Sequence, residues 1–351
     1  MAVNSLSVED FIFQSAYFPI LDVRSPGEYN HAHIPGAVSF PLFSDEERAI
    51  VGTTYKQQNR EDAIKIGLDI FGPKMRKMVE QAEMICNNQS ESLPKTILIH
   101  CWRGGMRSGG VAWLLDLYGF RVYILKDGYK AYRNWVLDHF TRVYSFKILG
   151  GNTGSGKTYL LHELEKKGEL VIDLEGLANH KGSAFGNIGM PDQPTQEMFE
   201  NLLAMDLFQK GAQSKDIWIE DESQRLGHVN VPVQLWKFMA ICPVYFLEIP
   251  FEKRLNFIVE EYGKLDKERL VNGVIRIKKR LGGLETKNAI NYLIEDNIKE
   301  SFRILLKYYD KSYTKSLHKK ENLQTMLHII SCKEINQLQN AMSVIKLVSD
   351  I

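Results

Sequence analysis

Short apolar runs alternate along the whole chain with segments of helical spacing, the pattern of an α/β protein built in layers. In the first half the runs predict strands at Phe18–Val23, Ala37–Phe40, Thr96–His100 and Val122–Leu125. The 3.6-residue period predicts helices at Asp45–Asp69, Pro73–Asn87, Ser108–Leu117 and Tyr129–His139. A buried-type strand restarts the pattern at Tyr144, so the domain boundary falls near Phe140–Val143, with little room for a linker. The second half predicts strand Tyr144–Leu149, helix Lys157–Lys167, strand Leu170–Leu174, helix Thr195–Lys210, and strands Ile217–Glu220 and Val244–Ile249. Beyond Phe251 the chain reads as helical until a strand at Met326–Ile330. Residues Gly176–Pro194 lack a period and read as a long loop, a feature that is usually functional inside a compact domain. The expectation is two α/β domains, residues 1–140 and 144–351, the second with a helical C-terminal region.

Composition narrows the function classes. A length of 351 residues suits two domains, and 44% hydrophobic with 25% charged residues is ordinary for a globular chain. Lys and Arg total 44 against 43 Asp and Glu, which gives no support to a strongly basic nucleic-acid binder. A local patch can still hold phosphates, and Arg276–Arg280 and His318–Lys320 are the candidate backbone contacts. No stretch approaches the run of roughly 18 apolar residues that a membrane span needs, and no secretory signal is evident. The four cysteines (Cys86, Cys101, Cys242 and Cys332) lie far apart without a CxxC pair. That spacing argues against disulfide or metal frameworks and makes a reducing cytoplasm the expected setting.

One of those cysteines sits in a chemically loaded place. The apolar run Thr96–His100 leads directly into Cys101–Trp–Arg103–Gly–Gly–Met–Arg107–Ser108, and a helix follows. A strand, a glycine-containing loop and a helix N-terminus form an anion cradle, because backbone N–H groups converge on the loop. Such donors, with Arg103 and Arg107, stabilise the Cys101 thiolate. Two arginines and two glycines within six residues do not suit a packed core position.

A second loop binds phosphate by a different motif. Gly151, Asn152, Thr153, Gly154, Ser155, Gly156, Lys157 and Thr158 match GxxxxGK[ST] in full, between a predicted strand and a predicted helix. Its N–H groups can wrap a diphosphate, Lys157 can neutralise charge, and Thr158 can bind Mg²⁺. Asp221, in the acidic end of Ile217–Ser223, is the candidate to hold a Mg²⁺-bound water with Thr158; Asp173 and Glu175 are weaker candidates. Arg225, Arg254, Arg276 and Arg280 are candidate lid or sensor arginines that spacing alone does not choose between. The motif specifies a phosphate group; a nucleotide and another diphosphate ester both satisfy it.

The motifs carry a family resemblance. Asp22–Val–Arg24, Glu28–Tyr29, His33–Ile–Pro–Gly–Ala37, the cysteine loop and Asp127–Gly–Tyr–Lys–Ala–Tyr–Arg133 together resemble a rhodanese domain. Five residues rather than the usual four separate Cys101 from Arg107, a spacing shared with tyrosine-phosphatase-like loops. The expected fold is a rhodanese-like α/β domain followed by a P-loop NTPase-like α/β domain. This order, with the segment Leu177–Gly186, closely resembles the bacterial tRNA 2-selenouridine synthases from Asp22 to at least Tyr313. The resemblance implies a transferase acting on wobble 2-thiouridine of tRNA. Geranyl diphosphate first alkylates the sulfur; selenophosphate then supplies selenium through Cys101, as a perselenide. Two rival readings keep the motifs: a sulfurtransferase coupled to an ATPase or kinase-like domain, and a phosphatase of the CX5R type.

Overall fold

The computed structural model describes residues 4–87, 95–213, 215–317, 320 and 323–349, and divides into a unit of Met1–Asp138 and a unit of His139–Ile351. His318 and Lys319, two of the candidate backbone contacts, lie outside the described residues.

The first unit holds β1 (Asn4–Leu6), β2 (Ile20–Asp22), β3 (Ala37–Ser39), β4 (Thr96–His100) and β5 (Arg121–Leu125), in one sheet of order β1-β5-β4-β2-β3. Every pairing is parallel. The central strand β4, with the sequence TILIH, is buried along its whole length. A near-continuous apolar run is what a parallel strand covered on both faces requires. The register pairs Asp22 with His100, so the C-terminal ends of β2 and β4 deliver a carboxylate, an imidazole and then Cys101 to one edge.

The second unit holds β6 (Phe146–Gly151), β7 (Leu170–Ile172), β8 (Ile217–Glu220), the small hairpin β9 (Arg225–Leu226) and β10 (Val229–Asn230), β11 (Val244–Glu248) and β12 (Leu327–Ser331). Its main sheet has the order β12-β11-β6-β8-β7 and is again parallel. The glycine loop thus leaves the middle strand at its C-terminal end, where open α/β sheets place their ligands. Helices between Phe251 and Leu317 form a separate apolar cluster around Phe185, Leu255, Leu270, Phe302 and Leu306.

Several elements depart from the expectation. The single helix expected over Asp45–Asp69 is two, Asp45–Gln57 and Arg60–Phe71, because Asn59 starts the second. Its side chain accepts from the Asp62 N–H at 2.8 Å, an N-cap bond that outcompetes continuation. The long segment Gly176–Pro194 overlaps a short helix, Leu174–Ala178, capped by Asp173 and ended by Asn179 at φ 49°. Short elements at Asn4–Leu6, Val8–Gln14, Pro26–His31 and Val233–Met239 were not expected either. None of the described helices is long and apolar enough to cross a membrane.

Candidate active sites

In the first unit, Cys101 is 3% exposed at the start of a turn that ends in the helix Met106–Tyr118. Burial pushes its thiol up, but the Ser108 hydroxyl, the backbone N–H groups of Ser108 and Arg103 and the Arg107 charge pull it down. The net result lies below the ordinary cysteine value, which favours thiolate. The Ser108 Oγ stands 3.2 Å from the sulfur. Arg107 donates to Glu28 at 2.7 Å, and Glu28 also accepts from the Ser25 N–H at 3.1 Å, so the guanidinium is held from one side. The Arg103 side chain is exposed, and Trp102 is half-exposed with its ring 5.7 Å from that of Tyr129.

The loop's shape depends on glycines at two points. Gly104 has φ +62°, and a Cβ there would meet the Leu125 carbonyl at 2.9 Å. At Gly128, φ +62°, a Cβ would come within 2.4 Å of both the Cys101 carbonyl and the Gly104 nitrogen. Behind them, the N–H groups of Tyr129 and Lys130 donate to the carbonyls of Cys101 and Trp102 at 2.8 and 3.0 Å. Carbonyls that would repel an anion are thereby drawn into the helix that starts at Gly128.

Beneath the loop lies a buried polar group that the sequence did not assemble. Arg24 donates from Nε to Asp22 at 2.9 Å and from Nη2 to the Ala32 carbonyl at 2.7 Å, with its guanidinium 3.8 Å from the centre of the Tyr129 ring. His100 is fully buried beside them, and its basicity falls to about 4, chiefly through burial and against the pull of Asp22. A depressed histidine costs stability once the unfolded chain can take a proton that the fold refuses. The contribution is complete above about pH 6.5 and lost as pH falls from there to about 4, amounting to about 3 kcal/mol. Replacing His100 by Phe, which suits the neighbouring Phe11 and Tyr129 rings, is expected to flatten that part of a stability-against-pH curve. Urea unfolding between pH 4 and 7.5 reads the effect; parallel curves for the two proteins would refute it.

In the second unit the glycine loop takes the conformation its sequence promises. Gly151, Gly154 and Gly156 have φ of +151°, +78° and +74°. Lys157 reaches back to the Gly151 carbonyl at 3.1 Å, and the buried Asn152 Oδ1 and Ser155 Oγ have no protein partner among the described residues. Thr158 donates to Glu175 at 2.9 Å. Glu175 is hydrogen-bonded to Glu222, and a Cβ at Gly182 would meet their oxygens at 2.8 and 2.7 Å. Burial first, and the Glu175 charge next, push Glu222 up to about 8, so this pair holds a proton near neutral pH.

Asp221 stands apart from that arrangement. Its two oxygens accept from the Tyr313 hydroxyl and the Lys320 ammonium, each at 2.6 Å. The carboxyl bonded to Thr158 is that of Glu175, one of the two weaker candidates, on the short helix Leu174–Ala178. Among the candidate arginines, Arg254 is buried and clamped: it donates to Asp310 at 2.9 and 2.7 Å and to the Thr153 carbonyl at 3.0 Å. Arg276 bonds Asn187 at 3.2 Å, and Arg225 bonds the Gly227 carbonyl at 2.9 Å. Both line the same cavity, as does Arg280.

That cavity measures about 1240 Å³ and opens from the glycine loop. Ile258 packs on Gly154, where a Cβ would meet its Cδ1 at 2.6 Å. One turn along the same helix, Tyr262 lies 6.0 Å ring to ring from Phe302, which lies 6.1 Å from Phe185. An aliphatic and aromatic wall therefore begins at the phosphate loop and leads away from it. His180 and Lys181, within the long segment Gly176–Pro194, also line the cavity; Lys181 pairs with Glu261 at 3.5 Å.

A cysteine held toward thiolate at a helix start and a glycine-rich phosphate-loop motif beside a cavity belong together in a group-transfer enzyme. The model of the tRNA 2-selenouridine synthase AAA domain matches residues 144–342, and that of the rhodanese-like domain matches residues 8–134. A tRNA 2-selenouridine synthase of Sulfurovum sp. (strain NBC37-1) is 36% identical, across 84% of this chain and 87% of that one. Another, from Hydrogenovibrio crunogenus, is 37% identical across 86% and 90%. A third, from Pseudomonas putida (strain GB-1), is 34% identical across 84% and 86%. The chain belongs to the tRNA 2-selenouridine synthase family.

Proposed function

We propose that this enzyme exchanges the sulfur of a wobble 2-thiouridine in tRNA for selenium, in two stages carried by its two units. In the first, the thiocarbonyl sulfur attacks C1 of geranyl diphosphate. The C–O bond breaks, pyrophosphate leaves with the electron pair, and the ring N–H proton is lost to solvent. Residues Gly151 to Thr158 would hold the diphosphate, with Lys157 countering the charge that develops on the leaving group. In the second, selenium supplied by selenophosphate at the Cys101 loop displaces the S-geranyl group, with Arg103 and Arg107 binding the donor's phosphate.

The observation that carries the first stage is the apolar wall continuing from the glycine loop through Ile258, Tyr262 and Phe302. A prenyl chain gains about 0.8 kcal/mol for each CH₂ it buries there, whereas a ribose would leave its hydroxyls unpaired against the same wall. Thr158 and Glu175 would hold Mg²⁺ at this site on loss of the proton that Glu175 shares with Glu222, whereas Asp221 is held by Tyr313 and Lys320. Bound there, the ion would supply positive charge to the departing pyrophosphate. Four buried cysteines far apart in sequence, without a CxxC pair, suit a reducing cytoplasm.

Thiolated tRNA incubated with geranyl diphosphate alone is expected to yield S-geranyl-2-thiouridine. Selenophosphate alone should leave the thiouridine unchanged, and the two donors together should give 2-selenouridine, all read by nucleoside mass spectrometry. Selenouridine formed without the prenyl donor would remove the alkylation stage. Substantial thiosulfate-to-cyanide turnover with ATP hydrolysis would favour a sulfurtransferase coupled to an ATPase.

A further inference from the structure

The donors of the Cys101 loop are of the kind that bind a phosphoryl group. The N–H groups of Arg103 and Ser108 converge on the sulfur, and Arg107 is held in place by Glu28. The carbonyls of Cys101 and Trp102 are drawn away into the next helix. Five residues separate the cysteine from Arg107, and a serine hydroxyl follows at 3.2 Å from the sulfur. Such donors suit the oxygens of a tetrahedral phosphate.

Electron counting points to the same atom. Selenium in selenophosphate and in the C=Se product is at one oxidation level, that of selenide. Attack on selenium would form an S–Se bond and expel phosphite, leaving a perselenide that needs two more electrons before it becomes a selone. A resolving thiol could supply them, but Cys86, the other described cysteine of this unit, is buried in the core with its thiol pushed up to about 11.

We propose, resting on the functional reading above, that Cys101 attacks the phosphorus of selenophosphate and liberates selenide. The S–P bond forms as the P–Se bond breaks with its electron pair going to selenium. Hydroselenide then adds to C2 of the S-geranyl base; the C2–S bond breaks, geranyl thiolate leaves and takes a proton from solvent, and the proton on selenium moves to the ring nitrogen. Water attacks the phosphocysteine, releasing orthophosphate and a proton and returning the thiolate, to which Ser108 donates. No step changes an oxidation level. Hydrogen selenide is a far stronger acid than an alcohol, so its anion leaves without a proton donor. That agrees with a loop whose adjacent carboxylate, Glu28, is already paired with Arg107 and Ser25.

The test uses the full-length enzyme with selenophosphate and S-geranylated tRNA, followed by ³¹P NMR and by mass spectrometry of acid-quenched protein. One orthophosphate should appear per selenium incorporated, above the rate with Cys101→Ser, and a phosphoryl group should be trapped on the Cys101 peptide. Ser108→Ala should slow release of the thiolate and raise the trapped fraction about tenfold or more, and Ser108→Thr, which keeps the hydroxyl, should restore it. Selenium incorporation accompanied by phosphite, or by selenium on Cys101, would overturn this chemistry while leaving the proposed function standing. Absence of any selenium transfer from selenophosphate by the wild-type enzyme would overturn both.

Discussion

Cys101→Ser is expected to lower selenium incorporation by about 10³-fold or more while leaving S-geranylation of thiolated tRNA near the wild-type rate. A serine hydroxyl in the same cradle is not ionised near neutral pH, so the donors around Cys101 would stabilise nothing that reacts. The substitution is nearly isosteric and Ser108 can bond the new oxygen, so the first unit should keep its fold. Alkylation should persist because every residue proposed for it lies in the second unit. The product to expect is S-geranyl-2-thiouridine accumulating in tRNA, and nucleoside mass spectrometry of tRNA treated with both donors would show it. Normal selenouridine from the variant would remove Cys101 from the reaction.

Lys157→Ala is expected to cost about 10²- to 10³-fold in S-geranylation, the loss that follows removal of one fixed charge at a developing anion. Lys157 now rests on the Gly151 carbonyl, at the mouth of the loop where a diphosphate would take its place as partner. The control is tRNA that already carries S-geranyl-2-thiouridine: the variant should convert it to selenouridine at the normal rate. Binding of geranyl diphosphate followed by calorimetry separates the outcomes. Unchanged affinity together with unchanged alkylation would detach the phosphate loop from this step.

Both loops were legible because each is contiguous. The Cys101 and Gly151 loops carry their donors, their glycines and their helix starts within eight residues, so spacing alone displays the chemistry. What spacing could not display is the support that comes from far along the chain. Glu28 reaches Arg107 across 79 positions, Tyr313 reaches Asp221 across 92, and Arg254 reaches Asp310 across 56. The same limit explains the carboxyl beside Thr158. Asp221 ends a strand next to the phosphate loop and looked the better metal candidate, whereas Glu175 required recognising the short helix that begins after Asp173. A local signal for it was present, since Asp173 stands three residues before Gly176 and its side chain accepts that residue's N–H at 2.7 Å. The split at Asn59 was equally local: an asparagine followed by Asp62 marks a helix start inside an apparently continuous period.

The carbonyls of Cys101 and Trp102 find their partners only at Tyr129 and Lys130, and Arg24 finds its aromatic face only at Tyr129. This sets a timetable for synthesis. A nascent chain that has emerged as far as Tyr118 already contains every residue of the cysteine loop but none of the turn that shapes it. Until Asp127, Gly128 and the residues after them arrive, the carbonyls of Cys101 and Trp102 lack the N–H groups that hold them in the folded unit. The cysteine loop therefore reaches its final shape only once the last elements of the first unit have been made.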